Sequence, residues 1–111
     1  MASSAKERVW VVYNAYQNAY DRRIDDWKNA ETKGQSSAID KNLDRLEIAY
    51  LKAAQKELNA SGSEVEAALK AAKTATKQVN DAYKSAKKIA DKISLVTSLV
   101  KKVESLVRKA V

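Results

Sequence analysis

Proline and glycine, the residues that most readily interrupt a helix, are nearly missing from this chain. It has no proline and only two glycines in 111 residues. Both glycines lie in short polar stretches, one at residues 32–37 and the other at residues 59–63. Glycine is favoured just after a helix because it adopts the left-handed backbone conformation without strain. The two glycines therefore predict two helix breaks and three helical segments.

Each of the three segments opens with the same pair of residues, a serine followed three positions later by an acidic residue. Such a capping box satisfies backbone N–H groups that the first turn of a helix leaves without partners. The pairs are Ser4 with Glu7, Ser37 with Asp40, and Ser63 with Glu66. We therefore predict a single all-α domain over residues 1–111, with helices at about 4–32, 37–60 and 63–110.

The third segment carries apolar residues at two positions of an unbroken seven-residue repeat, from Val65 to Ala110. This repeat is typical of helices that pack as a left-handed coiled coil. Alanine dominates its first half, whereas isoleucine and valine occupy its second half. Large side chains facing small ones fill a core without voids. We expect the alanine half to pack against a line of large side chains on the first helix: Trp10, Tyr13, Tyr20, Ile24 and Trp27.

The segment lengths predict a three-helix up-down-up bundle whose C-terminal helix extends beyond the hairpin formed by the first two helices. At about 1.5 Å per residue, the third helix is about 70 Å long and the other two about 42 and 36 Å. The second half of the third helix then needs a cover from another copy of the chain or from another helical protein. The residues expected to form this binding surface are Ile89, Ile93, Val96, Leu99, Val100, Val103, Leu106 and Val107.

Two other arrangements of the C-terminal segment remain open. A bend after about residue 94 would fold it back as a fourth helix, because Ser94, Thr97 and Ser98 are weak helix formers. Residues 87–111 also combine seven basic residues with an apolar face, which is typical of a helix on an anionic membrane surface. The segment has neither tryptophan nor phenylalanine to anchor it at such an interface.

Six lysines project from the side of the third helix opposite its apolar stripe. They are Lys70, Lys73, Lys77, Lys84, Lys87 and Lys88, and we call this set the lysine ridge. The ridge could hold nucleic acid, another polyanion or an acidic partner by charge neutralisation, although an outward lysine face also serves solubility alone. It contains no arginine, aromatic or amide side chain to read base edges. Sequence-specific recognition of nucleic acid is therefore not expected.

The chain has neither histidine nor cysteine. It therefore lacks the usual zinc and haem ligands, thiol nucleophiles and imidazole bases. Its closely spaced carboxylates, at residues 21–26 and 40–47, are typical of salt bridges on helix surfaces. We therefore expect a non-enzymatic scaffold, adaptor or dedicated binding partner without metal or cofactor. Because the sequence shows no signal peptide or membrane span, we expect it in the cytoplasm unless a signal-independent system exports it.

Overall fold

The structure, a computed structural model, describes residues 2–111 and confirms the all-α class. Four helices form a bundle, and the described residues contain no strand. The helices are α1 (Ala5–Asn29), α2 (Lys33–Lys56), α3 (Ser63–Lys84) and α4 (Ile89–Ala110). The bundle measures 42 × 25 × 18 Å. None of the four helices has an apolar stretch long enough to cross a membrane.

The four helices form two hairpins, α1 with α2 and α3 with α4, which lie side by side. Around the bundle the order is α1, α2, α4, α3, so that α2 and α3 occupy opposite corners. Contacts between Arg8 and Glu66 and between Asp26 and Tyr83 show that α1 and α3 run parallel. The connection at residues 57–62 crosses one end of the bundle, and its own Leu58 side chain is fully buried. We call this the crossing end, and the end that holds both hairpin turns the turn end.

The prediction of one long helix over residues 63–110 is wrong, because the chain turns at residues 85–88. Ser85 and Lys88 adopt extended backbone conformations. The Ser85 hydroxyl donates to the carbonyl of Ala82 at 3.0 Å, a local bond that competes with continued helix. The alternative of a fourth helix folded back is therefore the correct architecture, with its turn earlier than the expected bend at about residue 94. The seven-residue repeat predicted one continuous helix because its spacing continues unchanged across this turn.

Neither of the two glycines ends a helix, contrary to the prediction. Gly34 lies inside α2, which begins at Lys33 rather than at Ser37. Its N-cap is Thr32, whose hydroxyl accepts a hydrogen bond from the Gln35 backbone N–H at 3.0 Å. Gly62 is the N-cap of α3 rather than the residue that ends α2, and its φ of +130° disfavours other residues. The left-handed residue that ends α2 is Glu57.

The alanine surface of α3 packs against α4 rather than against the aromatic line of α1. Buried alanines of α3 share one core with the valine and leucine side chains of α4, and α3 and α4 form the most extensive helix contact in the bundle. On α1 the buried residues are smaller, Val12 and Ala15, whereas Trp10, Ile24 and Trp27 are exposed. The predicted pairing of large with small side chains is therefore present, but α4 supplies the large partners.

Candidate functional site

The eight residues expected to form a partner surface on the last helix lie within this chain's own bundle. Six are buried and the other two, Ile93 and Val96, are half-buried. The buried six are Ile89, Leu99, Val100, Val103, Leu106 and Val107. A partner could reach these side chains only if α4 separated from α2 and α3. In this fold, an interaction surface must therefore be sought elsewhere.

All six residues of the lysine ridge are exposed to solvent. Lys73 forms an ion pair with Glu7, while the other five form no ion pair within residues 2–111. Because α4 folds back beside α3, the exposed Lys101, Lys102 and Lys109 belong to the same hairpin. The α3–α4 hairpin is therefore the basic half of the molecule, since residues 62–111 hold eleven lysines and arginines against five acidic residues.

The exposed apolar surface of the molecule lies mainly on the α1–α2 hairpin. Trp10 is 60% exposed and Leu51 57%. We call the surface made by Trp10, Tyr13, Tyr20, Ile24 and Trp27 of α1 the aromatic face. Single exposed apolar residues are ordinary on soluble proteins, but several large ones along one helix are typical of an interaction site.

The rings of the aromatic face are held in position by other rings. The Tyr13 ring centre lies 5.7 Å from that of Trp10 and 5.1 Å from that of Tyr50 on α2. Tyr16 stacks on Tyr50 with ring centres 5.7 Å apart and planes only 8° apart. Such offset and tilted arrangements are favourable for aromatic pairs. Trp10 and Tyr13 therefore pack against other rings rather than projecting alone into solvent.

The part of α1 that carries most of this face is free of charge. Residues 9–20 contain no lysine, arginine, aspartate or glutamate. Beside Trp10 lies a groove of about 950 Å³ whose apolar walls include Val9, Tyr50, Ala53 and Ala54. Depletion of charge together with enrichment in tryptophan and tyrosine distinguishes the centre of protein interfaces from ordinary surface.

A polar cluster lies between α1, α3 and α4 at the turn end. The Tyr83 hydroxyl donates to the Asp26 carboxylate, 2.9 and 2.8 Å from its two oxygens. Arg22 lies over one side of the Tyr83 ring, 4.3 Å from its centre, and donates to Asn80 at 2.6 Å. The Lys92 ammonium lies 5.1 Å from the same ring centre. Asp26 is only 8% exposed, and this burial raises its pKa. The pKa of Tyr83 is raised by its own burial and by the nearby Asp26 carboxylate. The cluster links the two hairpins.

A buried arginine of α1 links the connection at the crossing end to the rest of the bundle. Arg8 is 2% exposed and donates to the carbonyl of Leu58 at 2.9 Å, which holds the crossing connection. It also donates to the carbonyl of Ser3 at 2.7 Å and lies 3.5 Å from Glu66 of α3. Hydrogen bonds from Ser3 and the nearby Arg8 charge lower the pKa of Glu66. This arrangement fixes the relative position of α1, α3 and the connection.

The cavity at the centre of the bundle has a volume of about 20 Å³. Asn18, Asn42 and Thr76 are among the residues that line it. A space of this size holds about one water molecule. The cavity can therefore hydrate polar side chains but cannot admit an organic substrate.

Comparisons of the chain with protein families, with curated proteins and with solved structures give no match.

Sequence reasoning placed the aromatic line correctly on one side of α1 but assigned that side to the core. The side that faces the core repeats at steps of four and three. Arg8, Val12, Ala15 and Asp26 on it are buried, and Ala19 and Arg22 are half-buried. Its charged members made this stripe look exposed, although each finds a partner across the bundle. The helical spacing was the available signal for these residues.

Proposed function

We propose that this chain is a non-enzymatic assembly protein that associates with a second copy of itself through the aromatic face. The observation that supports this proposal is a row of large apolar side chains on α1, of which Trp10, Tyr13 and Tyr20 lie in the uncharged residues 9–20. Tryptophan and tyrosine are also the residues that contribute most to binding energy at protein interfaces.

The distribution of charge favours a second copy over an anionic partner at this face. The half of the chain that holds the aromatic face, residues 1–61, has ten basic and nine acidic residues. Two copies joined there would place their basic α3–α4 hairpins on opposite outer sides. With about 10 Å between neighbouring helix layers, those hairpins would be about 30 Å apart. Because charges are screened within about 8 Å at physiological salt, their repulsion would be small.

The dimensions of the face also suit a dimer. A standard interface buries about 800 Å² on each partner. The face runs from Trp10 to Trp27, which is about 26 Å along α1 at 1.5 Å per residue. With the 25 Å width of the bundle, this gives a projected area of roughly 650 Å² on each copy, at the lower end of the standard size. Trp10 and Trp27, which are roughly half exposed, would each add on the order of 100 Å² of apolar contact.

Measuring mass in solution as a function of protein concentration tests this proposal. Trp10→Glu and Ile24→Glu should weaken self-association by about 30-fold or more, because each places a charge on a surface that association would bury. Ile48→Glu is the matched control, since Ile48 is 53% exposed but lies on the α4 side of α2. A chain that stays monomeric at all accessible concentrations, or that loses association equally in the control, would contradict the proposal.

A second candidate function, polyanion binding, follows from the exposure of the whole lysine ridge. Such binding would be insensitive to sequence and would weaken steeply with salt, because it releases counterions. Lys73→Glu, Lys77→Glu and Lys84→Glu together should abolish retention of the chain on immobilised polyphosphate. Unchanged retention of this triple variant would remove the ridge from consideration.

A further inference from the structure

A second groove lies between α2 and α4, away from the aromatic face. Its volume is about 620 Å³. Its apolar floor is formed by Ile48 and Ala49 of α2 with Val107 and Val111 of the C-terminal region. The floor combines the buried Ala49 and Val107 with side chains that are largely exposed, including Ile48. An apolar surface of this kind gains free energy when a partner covers it.

Basic side chains surround this floor. They are Arg45, Lys52 and Lys56 of α2 and Arg108 of α4. Arg45 is already neutralised by Glu104, to which its Nε donates at 3.0 Å. Lys52, Lys56 and Arg108 are exposed and form no ion pair among the residues that the structure describes. The groove therefore presents three positive charges without partners around an apolar strip.

The shape of the groove suits a helix. Asn42 hydrogen-bonds Thr97 and Arg45 bonds Glu104, so α2 and α4 run parallel and side by side. A third helix can lie along such a pair and place side chains between them. The part of α2 that lines the groove, residues 45–56, is about 17 Å long at 1.5 Å per residue, which corresponds to about three turns.

We propose that this groove binds an acidic amphipathic helix of a partner protein. The apolar stripe of that helix would cover the exposed Ile48 and Val111, and its flanking carboxylates would pair with Lys52, Lys56 and Arg108. Apolar contact and charge are both complementary in this arrangement. An anionic polymer would use only the charges, whereas an uncharged apolar helix would leave the three cations unpaired. The groove is separate from the aromatic face, so failure of the self-association proposal leaves this one unaffected.

The test uses a fluorescein-labelled helical peptide of about 18 residues, or five turns, with leucines along one side and glutamates beside them. A peptide of the same composition with its leucines dispersed around the helix is the control ligand. Binding to the full chain is measured by fluorescence anisotropy. We expect the patterned peptide to bind about tenfold more tightly or better, and we expect added salt to weaken its binding.

Two pairs of variants locate the site. Lys52→Glu, Lys56→Glu and Arg108→Glu together should weaken binding about tenfold or more, whereas Lys70→Glu, Lys77→Glu and Lys84→Glu, with the same net charge, should change it less than about threefold. Ile48→Ser should weaken binding about fivefold to tenfold. Leu51→Ser removes an equally exposed residue outside the groove and should leave the affinity unchanged. Circular dichroism verifies that each variant stays folded.

Several outcomes would overturn the proposal. Equal binding of the two peptides, or equal weakening by the two charge-reversed variants, would reduce the interaction to net charge. An unchanged affinity of Ile48→Ser would show that the floor is not contacted. If Ile48→Ser instead abolishes self-association, the groove is occupied by a second copy. A last outcome is that the peptide does not bind, while the native chain binds anionic phosphatidylserine vesicles and only the variant with Lys52→Glu, Lys56→Glu and Arg108→Glu fails to bind them. The ligand is then a membrane surface.

Discussion

Tyr83→Phe removes a single oxygen atom, and the structure predicts an effect that depends on pH. Among the residues that the structure describes, Tyr83 is the one side chain that donates a hydrogen bond to the Asp26 carboxylate. Asp26 is buried, so water cannot replace this donor freely. A hydrogen bond to a charged group contributes about 1.5–3 kcal/mol. We therefore expect Tyr83→Phe to lower the free energy of unfolding by about that amount at neutral pH.

The pH dependence follows from the direction of the Asp26 pKa shift. Burial raises the pKa of Asp26 above its ordinary value of 3.8, so the folded state holds its proton more tightly than the unfolded state does. The contribution of this carboxyl is present below pH 3.8 and is lost as the pH rises through the raised pKa. Without the hydroxyl, the charged form is still less favourable and the pKa rises further. The difference between Tyr83→Phe and the native chain should therefore shrink when the pH is lowered to about 4.

Urea denaturation followed by circular dichroism at pH 7 and pH 4 measures both free energies. Comparing the two proteins at each pH cancels the titration of the other carboxylates. In an Asp26→Asn background the effect of Tyr83→Phe should be smaller and independent of pH, because no carboxylate remains. Tyr13→Phe is the control, since its hydroxyl bonds only the partly exposed Gln17, at 3.3 Å. A pH-independent loss, or a loss no larger than that of the control, would refute this account of the polar cluster.

Three further predictions concern the turns and the core, with unfolding free energies as the measurement. Gly62→Ala should lower the free energy of unfolding by about 1–3 kcal/mol, because Gly62 has a positive φ. Gly34→Ala should raise it by up to about 1 kcal/mol, because Gly34 lies in helical backbone with room for a methyl group. Equal effects of the two substitutions would contradict the observed helix boundaries. Leu106→Ala should cost about 3–5 kcal/mol because Leu106 is fully buried, and a cost below about 1 kcal/mol would place α4 outside the core. Arg8→Met should lower the free energy of unfolding by about 2–4 kcal/mol, because it leaves the Leu58 carbonyl without its donor. An unchanged stability would show that Arg8 does not stabilise the crossing end.

The helical class and two of the three predicted helix starts could be derived from the sequence. Ser4 caps α1 as predicted, with its hydroxyl accepting from the Glu7 N–H at 3.1 Å. Ser63 begins α3, but the predicted capping box is absent, because Gly62 is the N-cap and Glu66 bonds Ser3 instead. The start of α2 at Thr32 was missed because a threonine cap close to a glycine resembles the end of a helix. The turn at residues 85–88 was missed because none of its residues is glycine or proline, and because packing of α4 on the core stabilises it.

The candidate surfaces were harder to derive, since pattern alone does not show which of two apolar stripes is buried. On α1 one stripe is small and mixed with charge, including Val12 and Ala15, while the other is large and aromatic, including Trp10 and Trp27. Hydrophobicity favours burial of the aromatic stripe. Space decides otherwise, because Leu99, Val100 and Val103 of α4 already belong to the core shared with the alanines of α3. Because α4 folds back onto the core, only the side of α1 with the smaller apolar side chains fits into the remaining volume.

The same reasoning explains why the aromatic face bears on function. The core is complete without it, because Leu46, Leu58, Leu106 and their buried neighbours already close the interior. Replacing Trp10, which contacts the Tyr13 ring, or Trp27, whose Nε1 donates to Asp40 at 2.7 Å, should therefore lower the stability of the monomer by only about 0.5–1.5 kcal/mol. If these replacements instead destabilise the monomer by several kcal/mol, the rings serve the fold and the proposed association loses its support. A loss of self-association without a larger loss of stability would show that these side chains serve binding.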